Sequence, residues 1–476
     1  MFIIVLFYLK GANKFYFYIS LLNFPSKFSY NPLMKKSLLS LILILLFTAC
    51  QDIDDNKPLL SNSKKKQPII IVNRNRHLNM AEFWIDKVEK PYEAIMSPKE
   101  IETFNKEIAH KNHTLNYFSE LNSAYGASWV KGSILKAYEG IKGIATYFED
   151  GNRIDSKFYK GLKKDLNLES IGEGSVTTRF AIATNYCDQK IVPTDLALLK
   201  KKNQIHFDRN QNSALDIGTP IAILHSTKDG LWHYGIGPTS SGWVHSKDIA
   251  FGTKEEIANY LTSKNFVVTT APKTALKIAG NYHDYFRMGV RLPALMSIDD
   301  ETMVMVPTAD SEGNLVLTNA TVRTSDVHKG YLKYTPENIL LQAFKFLHAP
   351  YGWGGMYGEQ DCSKFIQEVY ATVGLKLPRN STSQSNVGES KIELAGLSKE
   401  SKETFLRTSG VVGGTILHLK GHITMYLGEY KGEPYIIHTV WGESSKHFAL
   451  GRTAVTSLNF NNYLGKIDRL TNLTAP

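Results

Sequence analysis

Apolar positions recur at helical spacing over residues 76–165. Ser97-Pro98-Lys99-Glu100 reads as a capping box with proline at the first helical position, and Ile101, Phe104, Ile108 and Leu115 follow on one face. Further helical patterns cover 131–148 and 155–166. Over 175–330 the period shortens. Pro220-Ile221-Ala222-Ile223-Leu224, Trp232-His233-Tyr234 and Gly242-Trp243-Val244-His245 are short β-rich runs between turn residues, as in small β-barrels or sandwiches. Ile217-Gly218-Thr219-Pro220-Ile221-Ala222-Ile223-Leu224 returns 71 positions later as Met288-Gly289-Val290-Arg291-Leu292-Pro293-Ala294-Leu295, which predicts two copies of one β unit. From 335 the signals change again. Thr335-Pro336 opens a helix that must end by Ala349, ahead of Pro350. A second helix follows Asp361, with Phe365, Ile366, Val369, Tyr370 and Val373 on one face and Gly374 at its C′ position. His422 to Leu427 alternates, Gly428 to Gly432 is turn-like, and Tyr435 to Val440 returns as a strand, together a hairpin.

The chain has 476 residues, of which 43% are apolar and 21% charged. This is globular composition, and the length suggests roughly two to four domains. The net charge is +10, but residues 1–49 hold five lysines and no acid, so the rest carries +5. With no basic run longer than three lysines, as in Lys64-Lys65-Lys66, no nucleic-acid partner is predicted. The three cysteines, Cys50, Cys187 and Cys362, are too few for a disulfide framework. Residues 34–50, MKKSLLSLILILLFTAC, carry two lysines, an apolar run too short to span a bilayer, and a small residue before Cys50. That pattern is a secretory signal over 34–49. Translation is expected to start at Met34, leaving 1–33 as an extension of doubtful role, and residues 50–75 read as a tether.

Candidate chemistry centres on Cys362. Asp361 is placed to cap the helix, which puts Cys362 in the first turn, where free N–H groups and the dipole favour a thiolate. Tyr351-Gly352-Trp353-Gly354-Gly355 precedes it, with glycines that allow close backbone approach. A base must come from elsewhere. In a symmetric hairpin centred on residue 430, His422 and His438 are directly opposite on one face, where one imidazole can take the thiol proton and the other fix its tautomer. His418 competes as base from the preceding strand. A zinc set of Cys362, His418, His422 and His438 is the metal alternative, set against Gly421 and β-like sequence around it. No metal and no cofactor is therefore expected.

The ending Thr48-Ala49-Cys50 resembles a bacterial lipobox. The resemblance implies a lipid on Cys50, hence a membrane-anchored protein of the cell envelope, and Gln51 in place of aspartate leans towards the outer membrane facing the periplasm. Tyr351-x-Trp353-Gly354-Gly355, Asp361-Cys362-Ser363, Leu377-Pro378-Arg379-Asn380-Ser381, Gly421-His422-Ile423 and Tyr435-Ile436-Ile437-His438 together resemble the NlpC/p60 cell-wall cysteine peptidases. Asp229-Gly230-Leu231-Trp232 and Gly242-Trp243-Val244 resemble bacterial SH3-like domains. These resemblances imply an α+β multidomain chain: a helical clip domain at 76–169, SH3-like barrels at 170–252 and 260–330, and a papain-like α+β peptidase domain at 331–470. They imply Cys362 as nucleophile, His422 as base and His438 as orienting residue, with Tyr351, Asp361, Ser363 and Ser381 lining the substrate site. The implied activity is cleavage of the γ-D-glutamyl–diamino acid bond in peptidoglycan stem peptides. An N-acetylmuramoyl-L-alanine amidase and an inactive peptidoglycan-binding lipoprotein are the alternatives. Lys364 departs from the family's usual glycine next to the site. The first barrel is expected to wall off one end of the cleft, with Asp208 and Asp229 as acidic candidates for meeting a free peptide N-terminus.

Overall fold

The computed structural model describes residues 2–11, 14–23, 76–445 and 448–475. The signal segment, Cys50 and the tether lie outside the described residues. Two units divide at Ile70/Ile71. In the first, strands Phe2–Gly11 and Lys14–Asn23 pair antiparallel.

The second unit opens with helices. α1 (Pro98–Asn112) starts on the expected capping box, with the Ser97 hydroxyl accepting from the Glu100 backbone and the Glu100 carboxylate accepting from that of Ser97. α2 (Ala127–Ile144) and α3 (Ser156–Asp165) follow. These helices share no core of their own. Phe104, Ile108 and Leu115 pack with Tyr334, Phe365 and Val369 of the C-terminal region. Val130, Ile134, Tyr138 and Leu162 pack with Trp232, Tyr234 and Trp243 of the first β unit.

That β unit has strands β1 (Arg179–Ala183), β2 (Cys187–Lys190), β3 (Gln211–Leu215), β4 (Pro220–Ser226), β5 (Trp232–Ile236), β6 (Ser241–His245) and β7 (Ile249–Phe251). Their order is β7-β1-β4-β5-β6-β2-β3. After α4 (Lys254–Thr262) comes a second set: β8 (Phe266–Thr269), β9 (Lys273–Ile278), β10 (Asn281–Arg287), β11 (Arg291–Ile298), β12 (Glu301–Ala309), β13 (Leu315–Arg323) and β14 (Val327–Lys329). Its order is β14-β8-β11-β12-β13-β9-β10, the same topology strand for strand. The sequence repeat falls on equivalent places: Gly218 and Gly289 have φ of 85° and 86° just before β4 and β11. Both tryptophans are core residues, Trp243 fully buried and Trp232 nearly so. The expected barrels are corrected in one respect. Neither hydrogen-bonded ladder closes on itself, so each is an open SH3-like sheet. At the β3 edge of the first, Gly354 and Gly355 of the C-terminal region press on Gln211 and Ala214, and a covered edge has no need to close.

The C-terminal region is a six-stranded sheet with helices on both faces. Its strands are β15 (Lys391–Glu393), β16 (Thr415–Leu419), β17 (His422–Tyr430), β18 (Glu433–Ser445), β19 (Phe448–Ser457) and β20 (Ile467–Asn472), in the order β15-β20-β16-β17-β18-β19. α5 (Pro336–Lys345) is capped by Thr335 and stops before Pro350, as predicted. α6 (Cys362–Ala371) buries Phe365, Ile366 and Val369 against Ile423, Met425 and Ile437. The opposite sheet face packs Leu417, Tyr426 and Ile436 against Leu406, Tyr463 and Leu464. The short α7 (Ser381–Ser385) and α8 (Lys399–Ser409) complete the region.

Candidate active site

The loop entering α6 is shaped by its neighbours. Gly354 and Gly355 have φ of 63° and 93°, and a Cβ on either would lie 2.6 Å from Gln211 Cγ or Ala214 Cβ of β3. Glycine is therefore required twice over, by backbone conformation and by closeness. The Tyr186 hydroxyl donates to Gly355 O at 2.8 Å and Gln211 Nε2 to Gly354 O at 3.2 Å, so the SH3-like sheet holds the turn directly.

Asp361 caps α6, its Oδ1 accepting from the Lys364 backbone at 2.9 Å. Gly354 N–H donates to Oδ2 at 3.1 Å and the Ser363 hydroxyl to Oδ1 at 3.0 Å. Arg379 closes the cluster. Its guanidinium donates to both Asp361 oxygens at 3.1 and 2.7 Å, to Ser363 Oγ at 2.9 Å, and to Ser213 Oγ of β3 at 3.0 Å. Burial would raise the Asp361 carboxyl, but the Arg379 charge and these bonds outweigh it and hold the group below the usual carboxylate range. Arg379 sits in a motif visible in the sequence, yet its bridging position was not readable there. Replacing it with alanine leaves a buried carboxylate without its cation, and urea melts are expected to show a loss of about 3–5 kcal/mol. An unchanged midpoint and slope would contradict this.

Cys362 is the first residue of α6 and only 8% exposed. The Ile423 backbone N–H, next to His422 on the facing strand, lies near enough to its sulfur to favour the thiolate, and the two residues share one core. The expected thiolate is corrected: burial, then the Asp361 charge, push the thiol up to about 12, against the opposing backbone N–H groups of Ile423 and Ser363 and the charge of Arg379. His422 Nε2 lies 2.8 Å from His438 Nδ1, with ring centroids 5.1 Å apart. Burial lowers both imidazoles, His422 to about 4 and His438, which is fully buried, well below its usual value. At neutral pH the site thus rests as thiol and neutral imidazoles.

The two histidines meet by a different register from the symmetric one. The turn is Lys431-Gly432, with Tyr430 opposite Glu433, which alone would put His422 and His438 on opposite faces. A bulge between Tyr426 and Gly428 shifts the ladder by one residue. Met425 then faces Ile437, and His422 and His438 become diagonal neighbours on one face, within reach of long side chains. Tyr463 packs edge-on against His438, centroids 5.4 Å apart, and Thr456 Oγ1 lies 3.1 Å from His438 Nε2. Neither was singled out from sequence. His418 is turned elsewhere, its Nδ1 held 2.6 Å from Asp468.

A histidine whose folded pKa is lowered binds fewer protons folded than unfolded. Its stabilising contribution is complete above about 6.5 and is lost as pH falls towards the folded value. The half-buried His422 and the buried His438 and His233, the last also down to about 4, make the melting temperature fall from pH 6.5 to 4. Scanning calorimetry across that range checks it, and a flat profile overturns it.

Tyr351 is half-buried beside this cluster, in an aromatic wall with Phe207 of the first SH3-like unit and Trp441 of β18, centroids 6.3 and 6.1 Å away. Phe207 also meets Trp353 and Trp441 at 5.3 and 5.8 Å, and His206 meets Trp441 at 4.4 Å. Ser381 opens α7 next to this region but takes no part in the Arg379–Asp361–Ser363 network. The Lys364 side chain reaches Asp216 of the SH3-like unit at 3.3 Å. Asp208 and Asp229 both already have partners within the SH3-like unit. Asp208 is 1% exposed and bonded to the Leu198 and Asn210 backbones and to Lys190, while Asp229 holds the β4–β5 turn through Thr227 and Leu231.

A cysteine at a helix start, with a paired imidazole on the facing strand, is a constellation that fits a cysteine-type hydrolase. Residues 348–442 match the NlpC/P60 family, and residues 198–245 match the SH3 domain of SH3b1 type, so the chain carries an NlpC/P60 domain behind SH3-like domains. A solved structure of a novel NlpC/P60 endopeptidase from Photobacterium damselae subsp. piscicida is 21% identical, with a TM-score of 0.66 over 83% of this chain and 97% of that one. The likeness shows a shared fold across most of the chain. An NlpC/P60 family protein from Bacillus cereus ATCC 10987 is 18% identical, with a TM-score of 0.46 over 62% of this chain and 100% of that one. No curated protein matches.

Proposed function

We propose that the protein is a peptidoglycan hydrolase, a cysteine endopeptidase that cuts stem peptides between γ-D-glutamate and the diamino acid. The observation that carries this reading is the His422–His438 pair at 2.8 Å on the sheet that α6 packs against, with Cys362 and the neighbouring Ile423 in one core. In the first step His422 Nδ1 takes the thiol proton as sulfur attacks the carbonyl carbon. The imidazolium then returns that proton to the leaving amine, and water repeats the sequence on the thioester. Free N–H groups at the start of α6 favour the developing oxyanion.

The test is mass spectrometry of purified muropeptides after digestion. Products ending in γ-D-glutamate, paired with peptides beginning at the diamino acid, are expected. Release of the whole stem peptide from muramic acid would mean an amidase instead. No product at all from the wild type would leave the inactive binder.

The envelope address rests on Cys50. The mature chain is expected to begin at an acylated Cys50 and to fractionate with membranes, and Cys50→Ser is expected to release it or leave it unprocessed. A soluble wild-type chain with an unmodified N-terminus would refute this.

A further inference from the structure

Thr456 lies on β19, outside every motif that marks the site in the sequence. β19 pairs with β18 so that Ala454 is opposite His438 and Thr456 opposite Ile436. Thr456 is therefore a diagonal neighbour of His438, as His422 is from the other side, and the three side chains form one line across β17, β18 and β19. Its Oγ1 is 3.1 Å from His438 Nε2, and His438 Nδ1 is 2.8 Å from His422 Nε2.

Each neutral imidazole carries one N–H, so the bond between the two rings holds a single proton. Two arrangements are open. If His422 supplies that proton, its Nδ1 is left as an acceptor, and His438 carries its own proton on Nε2, facing Thr456. If His438 supplies it, His422 carries its proton on Nδ1 and cannot take one from a thiol. His438 is fully buried, so a proton on Nε2 needs an acceptor inside the protein.

We propose that Thr456 is a positioning residue: its hydroxyl oxygen accepts the His438 Nε2–H and so selects the arrangement in which His422 is a base. The inference rests on the reading of Cys362 and His422 as nucleophile and base. It concerns which nitrogen holds the proton, and that can be measured without any substrate. The threonine hydroxyl can also turn its own O–H towards Nε2, which gives the opposite arrangement, so the tautomer in the wild type is itself a test.

The experiment has two arms on the full chain. In the first, 15N-histidine NMR of the wild type reads the His438 tautomer, its signal assigned by difference with His438→Gln. A proton on Nε2 is expected, and a proton on Nδ1 overturns the proposal. In the second, Thr456→Val and Thr456→Ser are compared by steady-state kinetics on a stem peptide. Valine is expected to lower kcat about 3- to 10-fold, the scale of one neutral hydrogen bond, with KM within about twofold, and serine to restore it. Unchanged kcat in the valine variant, a loss confined to KM, or serine as poor as valine each overturns it. If the valine variant does not fold, the wild-type tautomer decides. Activity surviving in Cys362→Ala would sink the peptidase reading alone, leaving the tautomer result to stand.

Discussion

Cys362→Ala is expected to remove peptide hydrolysis altogether while leaving the melting temperature close to that of the wild type. The sulfur is the atom that bonds the substrate in the proposed reaction, and nothing else on α6 can replace it. The side chain is buried at the helix start but small, so alanine leaves little empty space, and the Asp361 cap is untouched. His422→Ala is expected to cost about 10²–10⁴ in kcat, the usual weight of a general base. His438→Ala is expected to fall in between, since His422 keeps its place on β17 but loses the partner that orients it. Rates on a stem peptide, with circular dichroism as the control for folding, check all three. Full activity in the cysteine variant would eliminate the cysteine-peptidase reading.

The choice of these residues was legible because each sits in a local pattern. Asp361 is followed by a helical face, and the hairpin histidines lie in alternating strands. Their meeting was legible only in part. The symmetric hairpin and the real one place both histidines on one face, but for different reasons. The real turn has the wrong parity, and the bulge at Leu427 and Gly428 restores it. The bulge does leave a mark, Gly428 with φ of 106°, but in the sequence that glycine reads as the start of the turn.

The thiolate expectation failed for a related reason. A helix start is a local feature, worth about 0.3–1 kcal/mol to a charge, whereas burial depends on everything packed around Cys362. Thr456 and Ser213 were invisible on the same grounds. A threonine in a strand and a serine on a sheet edge look ordinary until β19 and β3 are placed beside His438 and Arg379. The β repeat, in contrast, announced itself, since Gly218 and Gly289 need the same positive φ at the same point of the fold. The helical stretch at 76–169 reads as a unit along the chain, yet its apolar faces are shared between two other cores, which only three dimensions reveal.

A stem peptide with a free N-terminal L-alanine is expected to be cut about 10²-fold better in kcat/KM than the same stem still attached to muramic acid. The argument is steric. Phe207 of the first SH3-like unit reaches across to Trp353 and Trp441, and His206 lies tilted against Trp441, so Tyr351 is flanked by aromatic rings from two domains. Ser213 is tied to Arg379, and Gln211 and Tyr186 to Gly354 and Gly355, so the wall is fastened to the loop that leads to Cys362. A bulky sugar at that end must either displace the wall or shift the peptide, and a displacement of about 1 Å at the reacting carbonyl is enough for a loss of that size. An ionic contribution from Asp208 or Asp229 is not part of the expectation, because Asp208 is buried and held by Leu198, Asn210 and Lys190, and Asp229 holds its own turn. Phe207→Ala removes the ring that spans the gap without touching the Arg379 network, and it is expected to narrow the ratio by raising the rate on the muramyl substrate. The measurement is kcat/KM for the free tripeptide and for the matching muropeptide, in wild type and Phe207→Ala. A wild-type ratio near one, or one that favours the muropeptide, means that the aromatic wall does not bound the cleft and that the enzyme acts on intact wall.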